Sequence, residues 1–189
     1  MRLEYIRNIA IVGVVVIAVG AGGGGCSKKS KLASNLSSIA TVSLPIEPGS
    51  AVGDVHKGMT LEEVTAKLGE PDQRATPYVF QYNQLGIAVM ASMDGIVRTV
   101  MCESNDGKFG GRKSKTFAGR TKEGIGIGSS RSDITRAYGE SKDAAPKPLP
   151  GRQPLAGQEV LVYKSLGLTF TLMDNKVCNL MIDFRAPGK

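Results

Sequence analysis

The chain has 189 residues, a formal net charge of +7 and a sequence that is 41% hydrophobic and 22% charged, which is room for one domain or two small fused ones. The charge does not define a nucleic-acid-binding face, because its surplus sits in two short stretches, around Lys28, Lys29 and Lys31 and over 103–122, while the rest is balanced. The single histidine, His56, has no nucleophile near it in the sequence, no Cys/His spacing suits zinc, and no carboxylate cluster suits acid–base work, so the sequence predicts a protein without enzymatic activity, metal or cofactor.

Met1–Asn8 carries Arg2 and Arg7, Ile9–Ala21 (IAIVGVVVIAVGA) is apolar, and Gly22–Gly25 leads into Cys26. A basic start, a short apolar run and a small-residue exit predict a signal peptide over 1–25. The run is short for a membrane span, which needs about 20 residues. Cys26 after small residues resembles the lipobox of bacterial lipoproteins. That resemblance implies a lipidated Cys26 (diacylated, palmitate-type chains) as mature N-terminus, and Ser27 in place of Asp implies the outer membrane. Cleavage after Ala21 to release a soluble protein, or retention of the signal as an anchor, are the alternatives. Residues 26–50 have no sustained period and end near Pro45 and Pro48, which predicts a flexible tether with a mean reach of about 25–30 Å. Its lysines favour anionic headgroups, at about 1 kcal/mol each near the surface.

A first module is predicted over 51–104. Thr60-Leu61-Glu62-Glu63 has the spacing of a capping box. Leu61, Val64 and Leu68 share one helix face, Gly69 offers a left-handed cap and Pro71 blocks continuation, so the helix spans 61–68. Tyr78–Tyr82 alternates large residues, Gly86–Ser92 is a second strand, Asp94-Gly95 turns the chain, and Ile96–Glu103 is a third. A basic, glycine-rich connection over 105–122 follows, with Phe109 and Phe117 among its charges.

A second module over 123–189 repeats the first. Gly58, Thr60, Val64 and Gly69-Glu70 are answered by Gly128, Ser130, Ile134 and Gly139-Glu140. Tyr82, Leu85-Gly86, Met93-Asp94 and Val97 return as Tyr163, Leu166-Gly167, Met173-Asp174 and Val177. Gly124–Ser130 reads as a tight turn with a serine cap or, alternatively, as an anion cradle at a helix N-terminus. Ser141–Gln158, with four prolines, is an extended surface insertion. Strands follow over 159–164, 167–173 and 176–185, and the alternation of Leu168, Phe170 and Leu172 buries one face. Either module alone is small for stability. The expectation is therefore an α+β body of two tandem repeats, each a short helix on a three- to four-stranded antiparallel meander, merged into one continuous sheet with both helices on one face.

The segment KGMTLEEVTAKLGEPD, followed by an aromatic strand and two more, resembles the SmpA/OmlA (BamE-like) outer-membrane lipoproteins. Their G-M-T-x-x-x-V-x-x-x-L-G-x-P pattern is met by Gly58, Met59, Thr60, Val64, Leu68, Gly69 and Pro71. The tandem arrangement is similar to β-lactamase inhibitor protein, which implies a continuous concave sheet. Together these imply a bacterial cell-envelope lipoprotein that binds an envelope protein and takes part in envelope assembly or integrity, or alternatively inhibits a hydrolase. The basic loop supplies Phe109, Arg112, Lys113, Lys115 and Phe117 as candidate contacts, and the first meander strand supplies Tyr78, Phe80 and Tyr82, whose alternative role is core packing. In an oxidising envelope Cys102 and Cys178 can pair as a disulfide; the alternative is two small buried apolar side chains.

Overall fold

Two antiparallel sheets and two α-helices form the body, an α+β arrangement seen in a computed structural model that describes residues 44–105, 114–145 and 155–185. The three shortest strands, β1 (Ile46–Glu47), β2 (Ala51–Val52) and β3 (Val55–His56), make a small sheet in that order. Helix α1 (Leu61–Leu68) follows, then β4 (Gln73–Thr76), β5 (Val79–Tyr82), β6 (Ile87–Ala91) and β7 (Val97–Glu103). Helix α2 (Arg131–Tyr138), β8 (Gln158–Tyr163), β9 (Leu168–Met173) and β10 (Lys176–Asp183) complete the chain. The large sheet has seven strands in the order β4-β5-β6-β7-β10-β9-β8. All described residues belong to the unit Ile39–Lys189. The predicted signal peptide and Cys26 lie outside them.

Both helices begin as their sequences dictate. Thr60 Oγ1 accepts from Glu63 N at 3.2 Å, while Glu63 Oε2 accepts from Thr60 N at 2.8 Å. Ser130 Oγ and Asp133 Oδ2 repeat that exchange at 3.2 and 2.9 Å. Each box satisfies two N–H groups that the first helical turn leaves open. Gly69 and Gly139 end the helices at φ 84° and 80°, with ψ near 180°. That is not the expected left-handed cap but an extended, positive-φ conformation open essentially to glycine alone.

The large sheet places its apolar residues on one face. Along one cross-strand row Tyr82, Ile87, Cys102, Leu180, Phe170 and Leu161 lie side by side. All belong to the core cluster, which also takes Val64 from α1, Ile134 from α2, and Leu44, Ile46, Val52 and Val55 from the small-sheet region. Tyr138 packs its ring 5.7 Å from Tyr163 and 6.1 Å from Phe170, so α2 rests on aromatic groups of this same face.

Two expectations change, and the first meander takes the upper of its three to four expected strands. The tether does not run to residue 50: Leu44 and Ile46 are buried, and Ile46 N donates to Arg120 O at 2.9 Å, because apolar Leu44-Pro-Ile46 gains more from the core than from solvent. The first meander gains an edge strand, β4, whose four residues are all exposed. The connection over 105–122 is not wholly loop: Phe117 N donates to Glu103 O, and Arg120 bridges Gly126. At the other sheet edge, Ser141 exchanges hydrogen bonds with the Val162 backbone at 2.7 and 3.1 Å, so the start of the proline-rich insertion runs along β8.

Candidate functional site: the second face of the sheet

Alternation sends the intervening residues of the seven strands to the other side. One row there reads Gln73, Gln81, Ala88, Met101, Met181, Thr169 and Val162. Flanking rows add Met90 with Thr99, and Glu103 with Asn179, Thr171 and Val160. Among the described residues, no side chain of this face joins the core cluster. Met90, Met101, Met181, Thr169, Thr171 and Val160 are half-buried, while Gln81, Ala88, Thr99, Val162 and Asn179 are buried. The middle of the face is soft and weakly polar, with thioethers, hydroxyls and short β-branched groups that repack at little cost, while Gln73, Gln81, Asn179 and Glu103 add amides and one carboxylate. Gln81 is 3% exposed, and its Oε1 has no hydrogen-bond partner among the described residues. A buried acceptor in that state costs about 1–3 kcal/mol.

Two hairpin turns frame the face. At the first, Asp94 accepts from Ile96 N at 3.1 Å, Arg98 Nη2 donates to Asp94 at 3.0 Å, and Arg98 Nε donates to Ser92 Oγ at 2.9 Å. Hydrogen bonding from Ser92 holds the Asp94 carboxyl below its ordinary range. At the second, Asp174 and Asn175 take φ 49° and 68°, the positive values a tight hairpin demands. Beside the first turn, where Phe184 N donates to Arg98 O, the Arg185 guanidinium grips Asp183 through both oxygens, which lowers that carboxyl.

The sequence-predicted contact residues do not form one surface. Tyr78 is 41% exposed, in the turn before β5. Phe80 and Tyr82 point into the core face, with the Arg74 guanidinium 4.7 Å above the Phe80 ring, and burial pushes the Tyr82 phenol up. Phe117 is also core, so its place among partner contacts is corrected. A Cβ on Gly119 would overlap Leu44 O and the Phe117 ring, so only glycine lets the backbone pass this ring so closely. Lys115 is exposed and its backbone N donates to Asn83 O at 2.7 Å. Phe109, Arg112 and Lys113 lie outside the described residues.

Of the two readings of Cys102 and Cys178 the second holds: both side chains are buried and no disulfide joins them. Register is the reason. Cys102 stands opposite Leu180, whereas Cys178 falls in a bulge between Val177 and Asn179, with its Sγ 3.1 Å from Thr171 O. Burial pushes the Cys102 thiol well up. His56 is exposed on β3. Gly124–Ser130 is a serine-capped turn, in which Gly126 N donates to Ser129 Oγ at 3.1 Å. A sheet surface for contacts is expected from the sequence, but Met101, Met181 and the threonines are not singled out there, because soft and hydroxylic residues carry no motif.

No family model and no curated protein matches the chain. Among solved structures it is similar to a DUF4309 family protein (YjgB) from Bacillus subtilis, with a TM-score of 0.41 and 14% identity over 66% of this chain and 77% of that one.

Proposed function

We propose that this protein is a bacterial cell-envelope lipoprotein, anchored through Cys26 with the outer membrane favoured, and that it acts as a non-enzymatic protein-binding module. In this reading the chain is a tandem pair of BamE-like modules, 51–104 and 123–189, joined by the basic segment 105–122. Paired details support the duplication. Each half has an eight-residue helix with a reciprocal cap and a glycine stop. Each has a bulge on the strand after its hairpin, at Arg98 and at Cys178. The pairing of β7 with β10 sets Met101 against Met181, the position that corresponds to it when Val97 is matched with Val177.

The observation that carries the binding reading is the second sheet face: seven strands wide, soft in chemistry, with a buried unpaired acceptor at Gln81. A protein partner is the ligand class that matches so broad a surface. The continuity of the sheet across β7 and β10 also favours the second reading, inhibition of an envelope or secreted hydrolase, by likeness to β-lactamase inhibitor protein.

In-cell crosslinking and affinity capture test the proposal. The expected result is one stoichiometric envelope protein, lost with Met101→Lys and Thr171→Lys and weakened by Lys115→Glu. Capture that survives the two face substitutions refutes the assignment of this face. A captured hydrolase that loses activity on binding selects the inhibitor reading. Cys26→Ser should move the protein from the membrane to the soluble fraction, and unchanged membrane retention refutes lipidation.

A further inference from the structure

Away from the second sheet face, a cavity of about 650 Å3 opens between the β1–β2 turn, residues 120–123 and α2. That volume lies within the range of about 300–1,000 Å3 usual for small-molecule sites. Backbone hydrogen bonds preform its walls. Ile46 N donates to Arg120 O and Thr121 N to Ile125 O, each at 2.9 Å. Ser50 N donates to Glu47 O at 3.0 Å and Lys57 N to Ser50 O at 2.8 Å. Between them Pro48 and Gly49, the latter at φ 67°, are the residues that suit a tight type II turn.

The polar groups around the cavity are committed within the protein. The Tyr138 hydroxyl lies 2.7 Å from Thr121 Oγ1 and 2.9 Å from Glu123 Oε2, and Thr121 Oγ1 also accepts from Ile125 N at 3.3 Å. Lys122 Nζ pairs with Glu123 at 3.7 Å. The Arg120 guanidinium turns to Gly124 O at 2.8 Å and Ser129 Oγ at 3.3 Å, outside this lining, and Lys57 is engaged as well. Glu47 is exposed on β1, where water solvates it. What is left to a ligand is mostly apolar surface, chiefly Pro45, Pro48, Leu166 and Tyr138. A charged ligand would lose hydration there and meet no counter-charge that is not already spent, whereas an apolar one gains by burial.

We propose that this cavity binds an uncharged, predominantly apolar small molecule, held by burial against Pro45, Pro48, Leu166 and Tyr138 and not by ion pairs. The assignment stands on the cavity alone and is independent of the protein-binding reading.

Fluorescence titration of the purified full chain tests it with two probes, phenylnaphthylamine and anilinonaphthalene sulfonate, which share a ring body and differ by one negative charge. The uncharged probe should bind saturably and at least roughly tenfold more tightly than the sulfonate, because burying an unpaired charge is penalised. Added salt should not weaken it, since no ion pair is screened. Leu166→Trp and Ser50→Trp each fill the cavity and should abolish binding, with circular dichroism checking the fold. Met101→Lys, on the second sheet face, should leave binding unchanged. Absence of saturable binding, a sulfonate that binds as tightly, weakening by salt, binding that survives the two tryptophans, or loss with Met101→Lys overturns the proposal. Ser50 is bonded through its backbone, so Ser50→Trp decides the matter if Leu166→Trp does not fold.

Discussion

Helices α1 and α2 have the same length, the same reciprocal cap and the same glycine stop, yet they hold to the sheet by different chemistry. α1 buries two aliphatic side chains, Leu61 and Val64. α2 buries one, Ile134, and adds an aromatic contact through Tyr138 to Tyr163 and Phe170. It is also tethered by polar groups: Tyr138 to Thr121 and Glu123, and Arg131 to Glu159 at 3.0 Å and to Glu140 at 3.2 Å. The difference teaches that helix ends and helix faces answer to separate constraints. A cap is a local exchange between residues three apart and needs only those residues. A face must fit whatever the strands beneath it present.

The comparison breaks most visibly at Ile134. As the one fully buried aliphatic of α2, its truncation to Ala should cost about 2–5 kcal/mol in denaturant unfolding. Val64→Ala should cost less, because it removes less volume and Leu61 remains beside it. Equal costs, or the reverse order, would mean that the aromatic contact carries α2 and Ile134 only fills space.

The caps sharpen the other half of the comparison. Thr60→Ala and Ser130→Ala should each cost about 1 kcal/mol, and by similar amounts. A cost confined to one helix would show that the two boxes are alike in geometry but not in worth. Tyr138→Phe comes next, at about 1 kcal/mol for the lost hydroxyl contacts. It also changes the alkaline limb. Burial raises the Tyr138 phenol above its ordinary value of 10.0, so its contribution to stability is full below that pH and is lost as the pH climbs through the higher folded value. The wild type should therefore weaken above pH 10 more steeply than Tyr138→Phe in pH-dependent melting.

Much of this fold was legible because its signals are local. Thr60-x-x-Glu63 and Ser130-x-x-Asp133 fixed both helix starts, Gly69 and Gly139 both stops, and the alternation of Leu168, Phe170 and Leu172 one strand of the sheet. What escaped was non-local or too short to carry a period. β1, β2 and β3 have two residues each, and Gln73–Thr76 is exposed throughout, so neither region shows an apolar pattern. Phe117 among lysines read as a surface aromatic, although it joins a core cluster drawn from residues far away in sequence. The choice between a Cys102–Cys178 disulfide and two buried side chains stayed open in the sequence for the same reason, since a single bulge residue decides which side chains meet. The second sheet face was visible only as interleaved Thr and Met, a pattern that declares no chemistry of its own.

The smallest expected effect separates the two caps by charge. Asp133 accepts from Ser130 Oγ at 2.6 Å and from Ser130 N at 2.9 Å, and these bonds, the side-chain one first, hold its carboxyl below the ordinary 3.8. Arg136 and Lys176 add weaker attraction. A depressed carboxyl stabilises the fold above its ordinary value, and that contribution is lost as the pH falls through the lower folded value. The difference in melting temperature between wild type and Asp133→Asn should therefore be constant near neutrality and shrink below about pH 4. Ser130→Ala removes the larger of the two causes and leaves the backbone one, so the difference measured in that background should be smaller from the outset. A difference independent of pH would mean that the box works at Asp133 through hydrogen-bond geometry alone, as an amide would, and that its charge adds nothing.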